Sequence, residues 1–296
     1  MEILPDIEAL GDVVGVVDLA IGVFDGVHLG HREVIGAAAA GGGEPAVLTF
    51  DPHPIRLLRP DLAPLELTGL EHKARLLGQL GVRYLLPLKF DQGRAQQSAE
   101  DFLREIAAAA RISSVAVGAQ FRFGHERGGD IELLKRMGTE FGFEASGVAP
   151  VRDEAGEVIS STRVRGAIAS GDLDLAAALL GREYSIFGRV KRGKQLGNRI
   201  GFPTANISRL PGQLPPFGVY AVQAQFGAEM LSGVANLGVR PTVEGEGAKP
   251  VLEAHFFDFE GDLYDEQIEV EFKAAIRPER KFAGLDELRK QIANDL

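Results

Sequence analysis

The first half of the chain alternates short apolar runs with stretches of helix-forming residues. Strands are predicted at residues 13–21, 46–50, 82–88, 115–117 and 143–148. Helices are predicted at residues 32–40, 71–80, 99–110 and 131–141. This alternation predicts an α/β domain whose parallel sheet carries helices on both faces. Ligands bind such sheets beyond the carboxyl ends of the strands, where residues 22–31 and 49–54 fall.

From residue 184 onward the pattern changes to strands without intervening helices long enough for a crossover. Strand-like runs occupy residues 185–191, 218–226, 231–237, 251–258 and 268–272. Turns that contain glycine or proline separate these runs, which predicts an antiparallel β-barrel. A short helix at 172–180 precedes the change, and a terminal helix is predicted at 284–296. We therefore expect two domains, residues 1–182 and 183–296, consistent with a length of 296 residues.

Two histidines stand at the predicted junction between the first strand and the first helix. His28 and His31 flank Gly30, directly after the apolar run that ends at Ile21. Backbone N–H groups lack partners at a helix start, and the helix dipole favours anions there. Both imidazoles can reach one phosphate group, and Gly30 lets that group approach the backbone. The alternative is a pair of surface histidines beside a helix start.

A hydroxyl- and arginine-rich cluster occupies residues 159–165. Guanidinium groups match phosphate oxygens, and a transferring phosphoryl group needs such donors as its charge develops. Ser161, Thr162, Arg163 and Arg165 could therefore bind a triphosphate. The alternative is a helix N-cap before residues 164–169, with two solvated arginines.

The second half contains a glycine-spaced basic loop that is not a Walker A motif. Gly188 and Gly193-Lys194 have the required spacing, but Gln195 stands where the magnesium-binding hydroxyl belongs, and no helix is predicted to follow. Further along, Glu253 alternates with apolar neighbours on a predicted strand, and an inward-pointing carboxylate there could accept a proton. An exposed strand glutamate is the alternative, and the residues alone do not favour Glu253 over Glu260, Glu266 or Glu269.

The composition of the chain excludes several kinds of catalytic site and argues against some partners. The chain has no cysteine, which excludes disulfides, thiolate nucleophiles and zinc–sulfur sites and favours a cytoplasmic location. Its net charge is −10 and it has no tryptophan, which argues against nucleic acid as a partner. No apolar run is long enough to cross a membrane.

Three ordered motifs resemble those of the bacterial bifunctional riboflavin kinase/FAD synthetase family. They are G-x-F-D-G-x-H-x-G-H at residues 22–31 followed by T-F-D-P-H-P, I-S-S-T-R-V-R at 159–165, and G-F-P-T-A-N at 201–206. The resemblance runs from about residue 15 to the end. It implies a Rossmann-like HxGH nucleotidyltransferase domain, which transfers AMP from ATP to FMN, followed by a riboflavin kinase barrel with a C-terminal helix.

The resemblance assigns site residues to the first domain. ATP would be bound by Gly22, Phe24, Asp25, Gly26, His28, Gly30, His31, Ser161, Thr162, Arg163 and Arg165, with His28 and His31 acting in catalysis. The flavin side would be formed by Phe50, Pro52, His53, Pro54, Gln120 and Phe123. Gln120 departs from the family's usual Asp or Asn, and Val23 departs from the commoner Asn.

In the second domain the resemblance implies that Thr204 and Asn206 bind Mg²⁺ and ATP phosphates, and that Glu253 is the catalytic base. A loop with Gly193, Lys194 and Gly197 would cover the nucleotide. The expected partners are small molecules: riboflavin, FMN and ATP. Two alternatives remain. In the first, the chain is a nucleotidyltransferase that acts on another phosphate substrate, and its barrel is regulatory. In the second, the chain is a non-catalytic nucleotide sensor whose barrel binds an oligonucleotide.

Overall fold

The computed structural model describes residues 1–192, 203–208, 210–227, 229–240, 249–259, 261–280 and 291. Contacts divide the chain into two compact units, Met1–Ser161 and Thr162–Leu296. Across the described residues, no helix combines the length and the hydrophobicity needed to span a bilayer.

The first unit is built on a six-stranded sheet with the order β1-β4-β3-β2-β5-β6. Its strands are β1 Glu2–Ile3, β2 Val17–Ile21, β3 Glu44–Asp51, β4 Tyr84–Lys89, β5 Ile112–Gly118 and β6 Glu144–Val148. Every pairing is parallel, which confirms the predicted sheet. Alternate residues of β2 enter different hydrophobic clusters, with Leu19 in one and Ala20 in the other. Both faces of the sheet are therefore covered.

Helices connect these strands: α1 Leu29–Ala39, α2 Pro54–Leu58, α3 Leu70–Gln79, α4 Gln92–Gln96, α5 Ala99–Ala109 and α6 Ile131–Phe141. Side-chain caps fix several starts. Ser98 accepts a hydrogen bond from the Asp101 N–H at the start of α5, and Asp130 accepts from the Leu133 N–H at the start of α6. Gly142, with φ of 83°, ends α6 in the left-handed region.

Strand β2 is shorter than the strand predicted at residues 13–21. Residues 13–16 do not belong to β2, because a 3₁₀ helix at Glu8–Asp12 precedes them and Gly15 turns the chain with φ of 107°. Val13 is nevertheless buried in the core, which explains its apolar character. The structure also contains β1, α2 and α4, which are two to five residues long and too short for a periodic pattern.

The described part of the second unit begins with two helices, and a barrel follows them. The helices are α7 Ser161–Ser170, which begins at the division between the units, and α8 Leu173–Leu180. The described strands are β7 Ser185–Lys191, β8 Ala205–Ile207, β9 Gly218–Phe226, β10 Glu229–Arg240, β11 Lys249–Phe256 and β12 Gln267–Pro278. They close in the order β10-β11-β8-β7-β12-β9, with every pairing antiparallel. The predicted antiparallel barrel is thus confirmed.

Two predictions fall largely on undescribed parts of the chain. The terminal helix at 284–296 lies outside the described residues except at Gln291, which is helical. The loop residues Gly193, Lys194 and Gly197 also lie outside the described residues.

Candidate active sites

The turn between β2 and α1 has an unusual backbone. Phe24, Gly26 and Val27 all have positive φ, at 51°, 85° and 45°. Side-chain-bearing residues, and β-branched ones above all, rarely adopt this region. Such a conformation persists where surrounding contacts over-determine it, and it is common at ligand sites. The turn therefore needs the contacts that its neighbours provide.

The two histidines form a reciprocal cap at the start of α1. The Nδ1 atom of His28 accepts from the His31 N–H, and Nδ1 of His31 accepts from the His28 N–H, both at 3.3 Å. The rings stack with centroids 3.6 Å apart. Because both Nδ1 atoms accept, each neutral ring carries its proton on Nε2. Two Nε2–H donors thus accompany the positive end of a helix, and His28 is 6% exposed rather than a surface residue.

Two glycines of this turn lie close to neighbouring side chains, and Gly26 also has a positive φ. A Cβ atom on Gly30 would lie 3.1 Å from Cε1 of His28, so only glycine leaves the stacked ring undisturbed. A Cβ atom on Gly26 would lie 2.7 Å from Cδ1 of Leu67. The side chain of Phe24 is buried beneath the pair, with its ring edge-on to His31 at 5.3 Å. Any contact of Phe24 with a nucleotide would therefore come from its backbone.

Asp25 anchors the middle of the turn. Its buried carboxylate accepts from the N–H groups of Leu67 at 3.0 Å and Thr68 at 3.1 Å. The Gly26 N–H donates to the Thr68 hydroxyl, and the Ser161 hydroxyl donates to the Asp25 carbonyl at 2.9 Å. The structure thus gives Asp25 and Ser161 a role in fixing the turn, while their direct binding of ATP stays a prediction.

The remaining members of the predicted triphosphate cluster lie on α7. That helix begins at Ser161, three residues before the predicted start, so Thr162, Arg163 and Arg165 all fall within its first five residues. Their binding of the triphosphate stays a prediction, as does that of Gly22, whose N–H donates to the Leu48 carbonyl at 3.1 Å.

An aromatic cavity of about 270 Å³ lies in the first unit. It is next to the turn that leads from β2 into α1, residues 23–31, which we call the histidine turn. Four of the predicted flavin-side residues line it: Phe50, His53, Pro54 and Phe123. Three further phenylalanines, which are not among the predicted flavin-side residues, also line it: Phe90, Phe102 and Phe121. Its described lining does not include Pro52 or Gln120, and Gln120 is exposed in the turn after β5. Val23 borders the cavity and begins the strained turn, so the two features are continuous.

A charged network forms one wall of this cavity. Arg94 donates to both carboxylate oxygens of Glu105, at 2.6 and 3.0 Å, and Gln97 donates to Glu105 at 2.7 Å. These hydrogen bonds, that of Arg94 first, lower the pKa of Glu105 against the opposing effect of its partial burial. Arg94 and Gln97 both line the cavity. No local motif marks them in the sequence, because they meet Glu105 through folding.

In the barrel, three polar residues lie side by side on neighbouring strands. Asn206 of β8 is opposite Glu253 of β11, and Glu253 is opposite Asn236 of β10. The flanking residues Leu252 and Ala254 are fully buried. Successive side chains of a strand point to opposite faces, so Glu253 lies on the outer face of the barrel. The prediction that it points inward was wrong, because its apolar neighbours occupy the interior.

The segment before β8 is attached to β11 by His255. Its Nδ1 atom donates to the Pro203 carbonyl at 2.8 Å. Thr204 and Asn206 are two residues apart, which places them on the same face of an extended segment. A hydroxyl and a carboxamide oxygen are hard donors of the kind that suits Mg²⁺, so this pair fits the predicted metal site. Thr204 also borders a cavity of about 170 Å³.

Comparisons with known proteins agree with the two-part architecture. A protein-family model described as FAD synthetase matches residues 15–163, and one described as riboflavin kinase matches residues 180–296. A bifunctional riboflavin kinase/FMN adenylyltransferase of Escherichia coli strain K12 is 43% identical over 283 residues, covering 94% of this chain and 90% of that protein. This chain belongs to the bifunctional riboflavin kinase/FMN adenylyltransferase family. The resemblance inferred from the motifs is thereby confirmed.

Another member of the family and a solved structure extend the match. The bifunctional riboflavin kinase/FMN adenylyltransferase of Bacillus subtilis is 38% identical, covering 94% of this chain and 89% of that protein. A crystal structure from Streptococcus pneumoniae, described as a macrolide-efflux protein, is 30% identical with a TM-score of 0.78, covering 100% of this chain and 97% of that one. The efflux description belongs to that protein alone.

The family assignment matches each fold to one reaction type. The FAD synthetase region contains the histidine turn and the aromatic cavity, and the riboflavin kinase region contains the row formed by Asn206, Glu253 and Asn236. The first arrangement can bind phosphates and an aromatic ring. The second offers a carboxylate beside hard oxygen donors.

Proposed function

We propose that this chain carries out two successive reactions of flavin synthesis. The barrel unit phosphorylates riboflavin with ATP to give FMN and ADP, and the parallel-sheet unit transfers AMP from a second ATP to FMN, giving FAD and pyrophosphate. The observation that carries this proposal is the order of the two family matches, one over each half of the chain. The substrates are small molecules, and the cysteine-free sequence supports a cytoplasmic location.

In adenylyl transfer the phosphate of FMN is itself the nucleophile, so the protein needs only to position the substrates and neutralise charge. The Nε2–H groups of His28 and His31, at the start of α1, donate to the ATP phosphates. Ser161, Thr162, Arg163 and Arg165 complete the triphosphate site. The isoalloxazine ring occupies the aromatic cavity next to Val23, with Phe50, His53, Pro54 and Phe123 around it. Pro52 and Gln120, which do not belong to the described lining, are proposed to contact the flavin from outside it.

In the kinase reaction Glu253 accepts the proton of the riboflavin 5′-hydroxyl as that oxygen attacks the γ-phosphate. Thr204 and Asn206 hold Mg²⁺, which when bound neutralises charge on the ATP phosphates. The half-buried outer face on which Glu253 and Asn206 lie leaves both side chains accessible to substrate. Gly193, Lys194 and Gly197 are proposed to cover the nucleotide.

The direct test is to incubate the purified chain with riboflavin, ATP and MgCl₂ and to separate the products by chromatography. FMN should form first and FAD should follow. FMN without FAD would contradict the assignment of the parallel-sheet unit, and FAD formed only from supplied FMN would contradict that of the barrel. An incubation without ATP is the control.

A further inference from the structure

A buried lysine lies behind the histidine turn and belongs to none of the motifs. Lys73, on α3, is 7% exposed. Its ammonium group donates to the Val23 carbonyl at 2.9 Å and to the Thr49 hydroxyl at 3.5 Å, and that hydroxyl donates to the same carbonyl at 2.8 Å. Lysine is rarely buried unless it is paired. Two independent donors thus meet one backbone oxygen.

The surroundings of this side chain act on its pKa in opposite directions, and the net shift is downward. Burial lowers the pKa of the Lys73 ammonium, and three carboxylates oppose that shift: Asp25, Asp51 and Glu66. A charged ammonium supplies three donors and no acceptor. It is therefore suited to hold a carbonyl oxygen in place.

The contact of Lys73 with the Val23 carbonyl lies where the histidine turn meets the aromatic cavity. Val23 follows β2, begins the turn in which Phe24 and Val27 adopt positive φ, and borders the aromatic cavity. The middle of the turn is held by Asp25 and its end by the histidine cap. Lys73 and Thr49 hold its beginning. Without them, only the contacts at the middle and the end of the turn would hold its strained conformation.

We propose that Lys73 is a positioning residue for adenylyl transfer, which with Thr49 fixes the Val23 carbonyl and so sets the histidine turn relative to the aromatic cavity. The reacting phosphates of ATP and FMN meet where these two features join. A displacement of about 1 Å at such a junction can lower a rate on the order of 100-fold. This inference rests on the proposed function, since it assumes that both substrates bind here.

The test uses the full-length chain and measures FAD formation from supplied FMN together with riboflavin phosphorylation. Lys73→Met keeps the aliphatic stem and removes the donors. It should slow FAD formation about 10- to 100-fold and leave FMN formation within about twofold. Lys135→Met is the matched control, because Lys135 is an exposed lysine of the same unit. It should leave both rates within about twofold.

A second pair of variants separates positioning from simple packing. Thr49→Ser keeps the hydroxyl and loses the methyl group, whereas Thr49→Val keeps the shape and loses the hydroxyl. Positioning predicts that the serine variant retains FAD formation and that the valine variant loses it several-fold. A packing role predicts the reverse order. If Lys73→Met does not fold, this pair still decides whether hydrogen bonding to the Val23 carbonyl positions the turn.

The outcomes distinguish this proposal from the one on which it rests. Wild-type chain that forms no FAD from FMN and ATP would contradict the proposed function. Wild-type chain that forms FAD, with Lys73→Met equally fast or with Thr49→Val faster than Thr49→Ser, would overturn the role of Lys73 and leave the function intact.

Discussion

At the residue scale, His28 uses its two ring nitrogens for different purposes. Nδ1 accepts the His31 N–H and closes the helix cap, so it takes part in folding. Nε2 carries the proton, and in the proposed reaction it donates to an ATP phosphate. Because the cap fixes the ring, the second nitrogen is oriented before any ligand arrives. Folding and binding are thus coupled through one side chain.

Two substitutions at His28 should separate these roles. The side-chain oxygen of His28→Asn can replace Nδ1 as cap acceptor, whereas His28→Ala removes both functions. Both should lower FAD formation about 100-fold or more, while only alanine should lower the unfolding free energy, by about 1 kcal/mol. Urea titration and product assays measure the two effects. Phosphorylation of riboflavin should persist in both variants, and its equal loss would argue against two separate sites.

Glu253 is the proposed base of the kinase reaction. Glu253→Gln keeps the shape and removes the base, so riboflavin phosphorylation should fall about 100-fold or more. Adenylation of supplied FMN should continue at the wild-type rate. Glu266→Gln is the matched control, since Glu266 is an exposed glutamate of the same unit. Kinase activity that survives in Glu253→Gln would exclude Glu253 as the base.

At the element scale, the wall of the aromatic cavity depends on how α4 meets α5. Arg94 belongs to α4, Gln97 caps its end, and Glu105 lies on α5. The guanidinium of Arg94 also lies 5.8 Å from the ring centre of Phe102. One ion pair therefore joins two helices and supports an aromatic side chain that faces the cavity.

This ion pair should give the first unit a measurable acid sensitivity. Because the folded-state pKa of Glu105 is lowered, its contribution to stability is present above the ordinary glutamate pKa of about 4.3 and is lost as the pH falls through the folded value. Glu105→Gln should therefore cost about 1 kcal/mol near neutral pH. The difference from wild type should shrink below pH 4 in urea unfolding. A difference independent of pH would contradict the ion-pair explanation.

At the scale of the whole molecule, the position of the domain boundary decides which helices the barrel needs. The contact division falls after Ser161, the riboflavin kinase match begins at residue 180, and the sequence pattern predicts a boundary after residue 182. Helix α8 lies between these positions. It contacts β12, and its residues Ala176 and Leu179 are fully buried.

Two fragments test the boundary. Residues 183–296 should fold and phosphorylate riboflavin without the first unit. Residues 172–296, which add α8, should do the same with a higher melting temperature, because burying Leu179 alone contributes about 2 kcal/mol. Thermal unfolding and kinase assays on both fragments measure this. Inactive fragments of both lengths would show that the barrel depends on the rest of the chain.

The sequence by itself determined the two architectures and the positions of the motifs that are predicted to bind phosphate. Strand and helix periodicities are local, so the parallel sheet, the barrel and the histidine turn at a strand end could be predicted. Short elements such as α2 and β8 could not, because they contain too few residues for a period. The outward face of Glu253 was also misjudged, since alternation shows that two faces exist and only barrel closure shows which one is the interior.

Only the tertiary structure decided which distant residues complete the sites. Phe90, Phe102 and Phe121 line one cavity although they come from three separate segments of the chain, and Lys73 contacts Val23, which lies 50 positions away in the sequence. No local pattern records such contacts, because they arise when the sheet brings the ends of non-adjacent segments together. The sequence therefore specified the position of the histidine turn, and the packing behind that turn specified its geometry.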